Sequence, residues 1–198
     1  MLLFPAFLKL AGRRCLVVGA GRVAGEKIEG LLRAEATVSV VAPSATRQVR
    51  TWARAGRIVW KDRRFRPSDL VGIFLTVVAT SSPHLQREIY KQARRRGILC
   101  NVVDDPEHCD FYYGATVRRG SLQIAISTGG LSPALAQRIR KQLEQEFGSE
   151  YEDWLEEIGA VRKRLLAKLV PPARRKTLLH HLASEQSLDR FRRRRKGK

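Results

Sequence analysis

The sequence reads as an α/β protein: a Rossmann-like parallel-sheet domain, then a hairpin-plus-helix segment, then a small helical C-terminal domain. Three observations carry this reading. Short, mostly apolar runs alternate with helical stretches over residues 14–105, and strands without a polar face belong to a sheet covered by helices on both sides. The first run breaks into a glycine turn, Gly19-Ala-Gly-Arg-Val-Ala24. After Phe111 the pattern changes to two short strands and then to helices alone.

Parallel strands are expected at Arg14–Val18 and at residues 37–42, 57–61, 73–79 and 98–103, with 57–61 the weakest. Between the first two, residues 22–35 place Val23, Ile28, Leu31 and Leu32 on one helical stripe. Between the last two, Leu85, Ile89 and Ala93 recur every four residues, with Pro83 opening the helix and Gly97 closing it. Residues 114–118 and 121–127 form a hairpin about Arg119-Gly120. Ser132 then caps a helix with Pro133 at its first position, and Leu135, Ile139, Leu143 and Phe147 form its apolar face. Two more helical patterns, 151–169 and 173–191, flank Val170-Pro-Pro172. The expected division is a nucleotide-binding domain 1–113, a dimerisation segment 114–148, a helical domain 149–191 and a solvated, disordered basic tail 192–198.

With 198 residues and 43% hydrophobic content the chain can bury a core, which excludes wholesale disorder. A net charge of +19 calls for an acidic partner or substrate. Because much of the excess sits in residues 190–198, nucleic acid is the disfavoured partner. Three cysteines make no even disulfide framework, and Cys15 and Cys100 fall inside apolar strands. A reduced, cytoplasmic location is therefore expected. The apolar start, residues 1–10, lacks a basic region and a cleavage site. No apolar run approaches the roughly 20 residues a bilayer requires, so the protein is expected to be soluble, with no membrane partner.

Three motifs bear chemistry. The glycine turn fits G-x-G-x-x-A after a strand and before a helix. There Gly19 permits the turn, Gly21 admits a pyrophosphate to the backbone, and the helix start offers free N–H groups. The usual ribose-binding acid is missing from Val40-Val-Ala-Pro-Ser44, which leaves Ser44 or the backbone to substitute and Arg47 free to favour a 2′-phosphate. Asp104 and Asp105 end a central strand, where open α/β sheets place their ligands. Asp104 is the candidate acid–base group and Asp105-Pro106 reads as turn chemistry. His108, Cys109 and Asp110 lack zinc-like spacing, so an exposed loop is expected and no metal site. The third motif, Ser127-Thr-Gly-Gly-Leu-Ser-Pro133, is another strand-to-helix turn of the kind that binds anions.

These motifs, in this order, resemble the precorrin-2 dehydrogenase family, also found as the N-terminal module of siroheme synthase. The resemblance spans about residues 1–190. It is specific in Phe4-Pro-Ala-Phe-Leu-Lys-Leu-Ala-Gly-Arg13, Val17-Val-Gly-Ala-Gly-Arg-Val-Ala24, Val41-Ala-Pro43, Cys100-Asn-Val-Val-Asp-Asp-Pro106 and Ala125-Ile-Ser-Thr-Gly-Gly-Leu-Ser-Pro-Ala-Leu-Ala136. It implies an enzyme that oxidises precorrin-2 to sirohydrochlorin, with Asp104 catalytic and NAD held at Gly19, Gly21, Arg22, Val23, Pro43 and Ser44. Ser127, Thr128, Gly129 and Ser132 become the expected substrate-binding residues. Some members also insert ferrous iron, which makes iron a candidate second substrate. The chain departs from the family at Phe111-Tyr-Tyr-Gly-Ala115, where Phe-x-x-Pro-Ala is common, and at Thr128, where some relatives carry serine. Uncovered hairpin edges, an apolar stripe on the following helix and the resemblance together predict a homodimer through residues 114–147. Two rivals stand against the dehydrogenase: a dinucleotide-sensing protein whose basic tail binds nucleic acid, and a chelatase without redox function.

Overall fold

The computed structural model describes residues 2–196, so that Met1 and the last two residues of the expected basic tail, Gly197 and Lys198, lie outside the described residues. The chain divides into two compact units, the first ending at Tyr112 and the second beginning at Tyr113.

The first unit is built on a five-stranded parallel sheet in the order β3-β2-β1-β4-β5. Its strands are β1 (Arg14–Val18), β2 (Thr37–Val41), β3 (Val59–Lys61), β4 (Leu75–Val78) and β5 (Leu99–Val102). Helices α1 (Arg22–Arg33), α2 (Arg47–Arg54) and α3 (Pro83–Arg95) provide crossovers. Alternation along each strand sends successive side chains to opposite faces. Val17, Val38, Val40 and Val77 pack with Ala24 and Ile28 of α1 and Val49 and Trp52 of α2. Leu16, Val18, Val41 and Val78 pack with Ile89 and Ala93 of α3. Leu16, Ile28 and Ile89 are wholly buried, each contributing about 1.5–3 kcal/mol by leaving water.

Helix α2 was not legible in the sequence. It has eight residues and buries only Val49 and Trp52, too few to show a period. Its start is set by Thr46, whose hydroxyl accepts from the Val49 N–H at 3.5 Å. A short 3₁₀ turn, Pro67–Leu70, was also missed. It centres on Asp69, whose side chain is 1% exposed and lies 2.9 Å from Lys61 Nζ and 2.6 Å from Arg63 Nη2. The Arg66 N–H donates to the same carboxylate at 2.9 Å. The Arg63 guanidinium, with Lys61 and this N–H, holds the Asp69 carboxyl well below the usual carboxylate range.

The second unit opens with an antiparallel pair, β6 (Ala115–Arg119) and β7 (Leu122–Ile126), turning through Gly120 at φ 55°. Four helices follow: α4 (Pro133–Glu146), α5 (Glu150–Ala167), α6 (Pro172–Leu182) and α7 (Glu185–Lys196). Helix α4 has no basic residue in its last turn. Arg119 of β6 takes that role, donating to the carbonyls of Phe147 at 2.7 Å and Glu144 at 2.9 Å.

Two expectations fail here. The single helical pattern 173–191 is broken between Leu182 and Glu185, where the Ser184 hydroxyl accepts from the Ser187 N–H at 3.3 Å and starts α7. The basic segment expected to be disordered is helical through Lys196. Its cations meet an acidic stripe on α5: Arg192 lies 2.5 Å from Glu150, Arg194 lies 3.0 Å from Glu157, and Arg195 pairs with Asp153. Buried Leu188 and Phe191 anchor the same helix. Exposed pairs alone are worth little; the apolar anchor is what makes ordering favourable.

Candidate active site

In-register pairing of β2, β1, β4 and β5 aligns Val41, Val18, Val78 and Val102 in one row at the carboxyl edge of the sheet. The chain leaves three of these four strands into segments that carry candidate site residues. Gly19 follows β1, Pro43 and Ser44 follow β2 by one residue, and Asp104 follows β5 by one residue. Strand order reverses between β1 and β4, which is where such sheets open a crevice for ligands.

The two turn glycines answer to different demands. Gly19 has φ 109°, and a Cβ there would sit 2.1 Å from the Ala79 carbonyl oxygen. The fold itself requires that glycine. Gly21 has φ −76° as the N-cap of α1, and a Cβ there would meet nothing within 4 Å. Nothing in the folded chain excludes a side chain at Gly21, so the space it leaves beside the free N–H groups of α1 is a cradle fitted to a dinucleotide pyrophosphate. Arg22 is exposed at the first helical position, 3.2 Å from Glu26, and Val23 is half-buried. The Thr46 N–H donates to the Ala20 carbonyl at 3.0 Å, tying the exposed Pro43-Ser44 segment to the glycine turn. Arg47 is exposed one residue beyond that tie.

Asp104 is exposed and adopts φ 62°, a left-handed conformation rare outside glycine. Glu35 and Leu169 share this conformation, and what sets Asp104 apart is its place just beyond the carboxyl edge of β5. Sequence reasoning missed its electrostatic neighbour, Lys27 of α1. Burial lowers the pKa of this half-buried lysine, while the Glu26 and Asp104 carboxylates act to raise it. The signal was a lysine directly preceding buried Ile28 on the inner stripe of the helix.

Of His108, Cys109 and Asp110, expected in an exposed loop, only Asp110 is exposed. His108 and Cys109 are half-buried, and although Asp110 is exposed its carboxylate accepts from the Cys100 N–H at 2.9 Å. Cys109 Sγ donates toward the carbonyls of Val102 and Asp105, each at 3.2 Å. Asp105 keeps the turn role assigned to it and adds a 2.8 Å contact to His108 Nδ1. Burial pushes the Cys15 thiol up to about 11 and the Cys100 thiol to about 12, which makes both poor nucleophiles. Among the described residues no cluster of His, Cys, Asp or Glu suited to a metal ion occurs.

Ser127, Thr128, Gly129 and Ser132 lie together in one turn of the second unit. Gly129 and Gly130 have φ 61° and 84°. The Gly129 N–H donates to Ser127 Oγ and the Ser132 N–H to Thr128 Oγ1, each at 3.2 Å. Ser132 Oγ in turn accepts from the Leu135 N–H at 3.2 Å and caps α4.

The fold and the glycine turn define a dinucleotide-binding α/β protein. A family model described as putative NAD(P)-binding matches residues 6–115, more than half of the chain. The chain belongs to that family, and its cofactor class is a nicotinamide dinucleotide. A second model, described as sirohaem biosynthesis protein central, matches residues 119–146. The siroheme synthase of Photorhabdus laumondii subsp. laumondii is 37% identical over 173 residues, covering 87% of this chain and 37% of that protein. The siroheme synthase of Nitrosococcus oceani is 38% identical over 147 residues, covering 74% of this chain and 31% of that one. The chain thus spans about a third of the length of these curated relatives. The solved structure of SirC, a precorrin-2 dehydrogenase, superposes with a TM-score of 0.80 at 29% identity, covering 93% of this chain and 91% of that one. No helix among the described residues is long and apolar enough to cross a membrane.

Proposed function

We propose that the chain is an NAD-dependent dehydrogenase that oxidises precorrin-2 to sirohydrochlorin in siroheme biosynthesis. The observation that carries this reading is Asp104, held left-handed at the end of β5 in the same edge row as the glycine turn. The names borne by SirC and by the siroheme synthases support it.

Gly19, Gly21, Arg22 and Val23, with Pro43 and Ser44, hold the cofactor. When bound, NAD supplies the electron-pair acceptor for a hydride leaving the macrocycle. Asp104 takes the proton lost with that hydride, as a general base. Lys27 sets a positive charge beside a carboxylate that must be ionised to accept it. Ser127, Thr128, Gly129 and Ser132, at the N-terminus of α4, receive acidic side chains of the substrate. The net charge of +19 suits a polycarboxylate macrocycle.

The reading extends to a homodimer, supported by an α4 stripe that stays partly uncovered, with Leu135 39% exposed and Ala136 the one buried residue of the helix. It places the protein in the cytoplasm. It also includes a second step, insertion of ferrous iron as substrate into sirohydrochlorin, tested by mixing iron and sirohydrochlorin without NAD. Of the tail residues on which the nucleic-acid reading relies, Arg192, Arg194 and Arg195 pair with carboxylates of α5.

Asp104→Ala is expected to lower dehydrogenase turnover about a hundredfold, the scale of a lost acid–base group, with NAD affinity unchanged. Full activity in that variant would remove Asp104 from the chemistry.

A further inference from the structure

The segment after Asp104 is closed on itself by side chains to which the proposed reaction gives no task. Its far end is fastened to β5. The Asp110 N–H donates to the Cys100 carbonyl at 2.8 Å, and Asn101 bridges Cys109. Asn101 Nδ2 also donates to the Phe111 carbonyl at 2.8 Å and toward Cys109 Sγ at 3.3 Å. The near end is fastened to β4, where the Val103 N–H donates to the Val78 carbonyl at 2.9 Å. Residues 104–108 span the gap between these anchors, held by longer bonds from the Asp105 N–H to Val102 at 3.3 Å and from the His108 N–H to Asp105 at 3.1 Å.

Side chains also cross this gap: Cys109 Sγ reaches the Asp105 carbonyl at 3.2 Å, the Tyr112 hydroxyl donates to the Pro106 carbonyl at 3.0 Å, and His108 meets the Asp105 carboxylate. His108 Nδ1 lies 2.8 Å from Asp105 Oδ2, with their side chains only 23% and 30% exposed. The Tyr90 ring of α3 meets the imidazole edge-on at 4.8 Å between centroids. Tyr90 is itself held by Arg94 Nη1, 3.1 Å from its hydroxyl. The imidazole is thus gripped by the turn it belongs to and by a helix packed on the sheet.

Such a grip bears directly on Asp104. A left-handed residue other than glycine lies up to about 1–2 kcal/mol above its ordinary conformations, with aspartate at the low end of that cost. A loosened turn would therefore let Asp104 relax and swing its carboxylate away from the edge row. Bonding from Asp105 also fixes which imidazole nitrogen carries the proton, since Nδ1–H must donate to the carboxylate.

We propose that His108, clamped between Asp105 and Tyr90, is a positioning residue that holds the Asp104 carboxylate in its working conformation. The proposal rests on the assignment of Asp104 as the proton acceptor, and its test separates the two.

His108→Ala should lower kcat for precorrin-2 oxidation about tenfold to a hundredfold, the scale of a misplaced catalytic group, with KM and NAD affinity within about twofold of the parent protein. His108→Asn, whose amide nitrogen can replace Nδ1 as donor, should recover most of kcat. Added to Asp104→Ala, His108→Ala should cost nothing further, because it acts through that carboxylate. Independent of activity, amide exchange at Asp105 in the cofactor-free protein should quicken in His108→Ala and return to the parent rate in His108→Asn. Unchanged kcat and exchange in His108→Ala would overturn the proposal. So would a rise in KM alone, or a full multiplicative loss in the double variant. If the parent protein leaves precorrin-2 untouched, the reaction assignment falls, and unaltered exchange would then refute the clamp by itself.

Discussion

Gly21→Asp separates the demands of the cofactor from those of the fold, because it should move stability and binding in opposite directions. The residue sits at φ −76°, within reach of any side chain, and a Cβ there has open space for 4 Å. It is also the N-cap of α1, without a side-chain cap of its own. Aspartate is a better cap than glycine by a few tenths of a kcal/mol, and its charge favours the helix N-terminus by about 0.3–1 kcal/mol. The apo protein should therefore gain about 0.5–1 kcal/mol and unfold some 3 °C higher. Cofactor binding should collapse. One carboxylate about 5 Å from one phosphate charge, at an effective dielectric constant near 20, costs about 3 kcal/mol, a factor of about 150 in Kd before any steric term. Thermal unfolding with and without NAD, paired with titration calorimetry, reads both effects. An apo protein at least as stable as the parent, with no NAD-induced rise in Tm, is the expected pattern. Unchanged NAD affinity would show that the pyrophosphate does not lie on this turn.

Gly19→Ala should do the reverse and destabilise the apo fold by about 2 kcal/mol or more, through its positive φ and a Cβ 2.1 Å from the Ala79 oxygen; a denaturant midpoint like the parent's would contradict this. Asp69 has its folded pKa depressed by Arg63, Lys61 and the Arg66 N–H. Its stabilisation is therefore complete above the unfolded value near 3.9 and is lost as pH falls below about 4. Asp69→Ala should cost about 2 kcal/mol at neutral pH, less than the roughly 3–5 kcal/mol of a fully buried broken pair because Lys61 and Arg63 keep access to water. Urea melts at pH 7 and pH 3 should show the difference between the variants shrinking in acid, and a pH-independent difference would refute the sign. Sedimentation at micromolar concentration should give a species of about twice 22.4 kDa, and a 22.4 kDa monomer would refute the homodimer.

The sheet was legible because burial on both faces leaves mostly apolar strands, so β1, β2, β4 and β5 stand out at nearly their observed bounds. Pro83, Gly97, Ser132 and Pro133 marked helix ends because caps and fixed φ values act locally. What stayed hidden depends on partners distant in sequence. The order in α7 rests on its buried Leu188 and Phe191, with pairs to acids of α5 some 40 residues earlier, such as Glu150–Arg192, adding to it. The Asp69 site joins a sheet edge to a short turn that reads as ordinary Pro-Ser-Asp turn chemistry. The closed segment after Asp104 looked polar and exposed, since nothing local says that Cys109 and Asp110 bond back to β5. Gly21 was visible as a motif position, but only the open space around its missing Cβ distinguishes it from Gly19.

Anaerobic incubation of the purified chain with precorrin-2 and NAD tests the reaction most directly, with the spectra of the oxidised macrocycle and of NADH followed together. One NADH formed for each precorrin-2 converted to sirohydrochlorin is the expected result. Bound NAD with neither macrocycle oxidation nor NADH formation would contradict the assignment of this chain as a dehydrogenase.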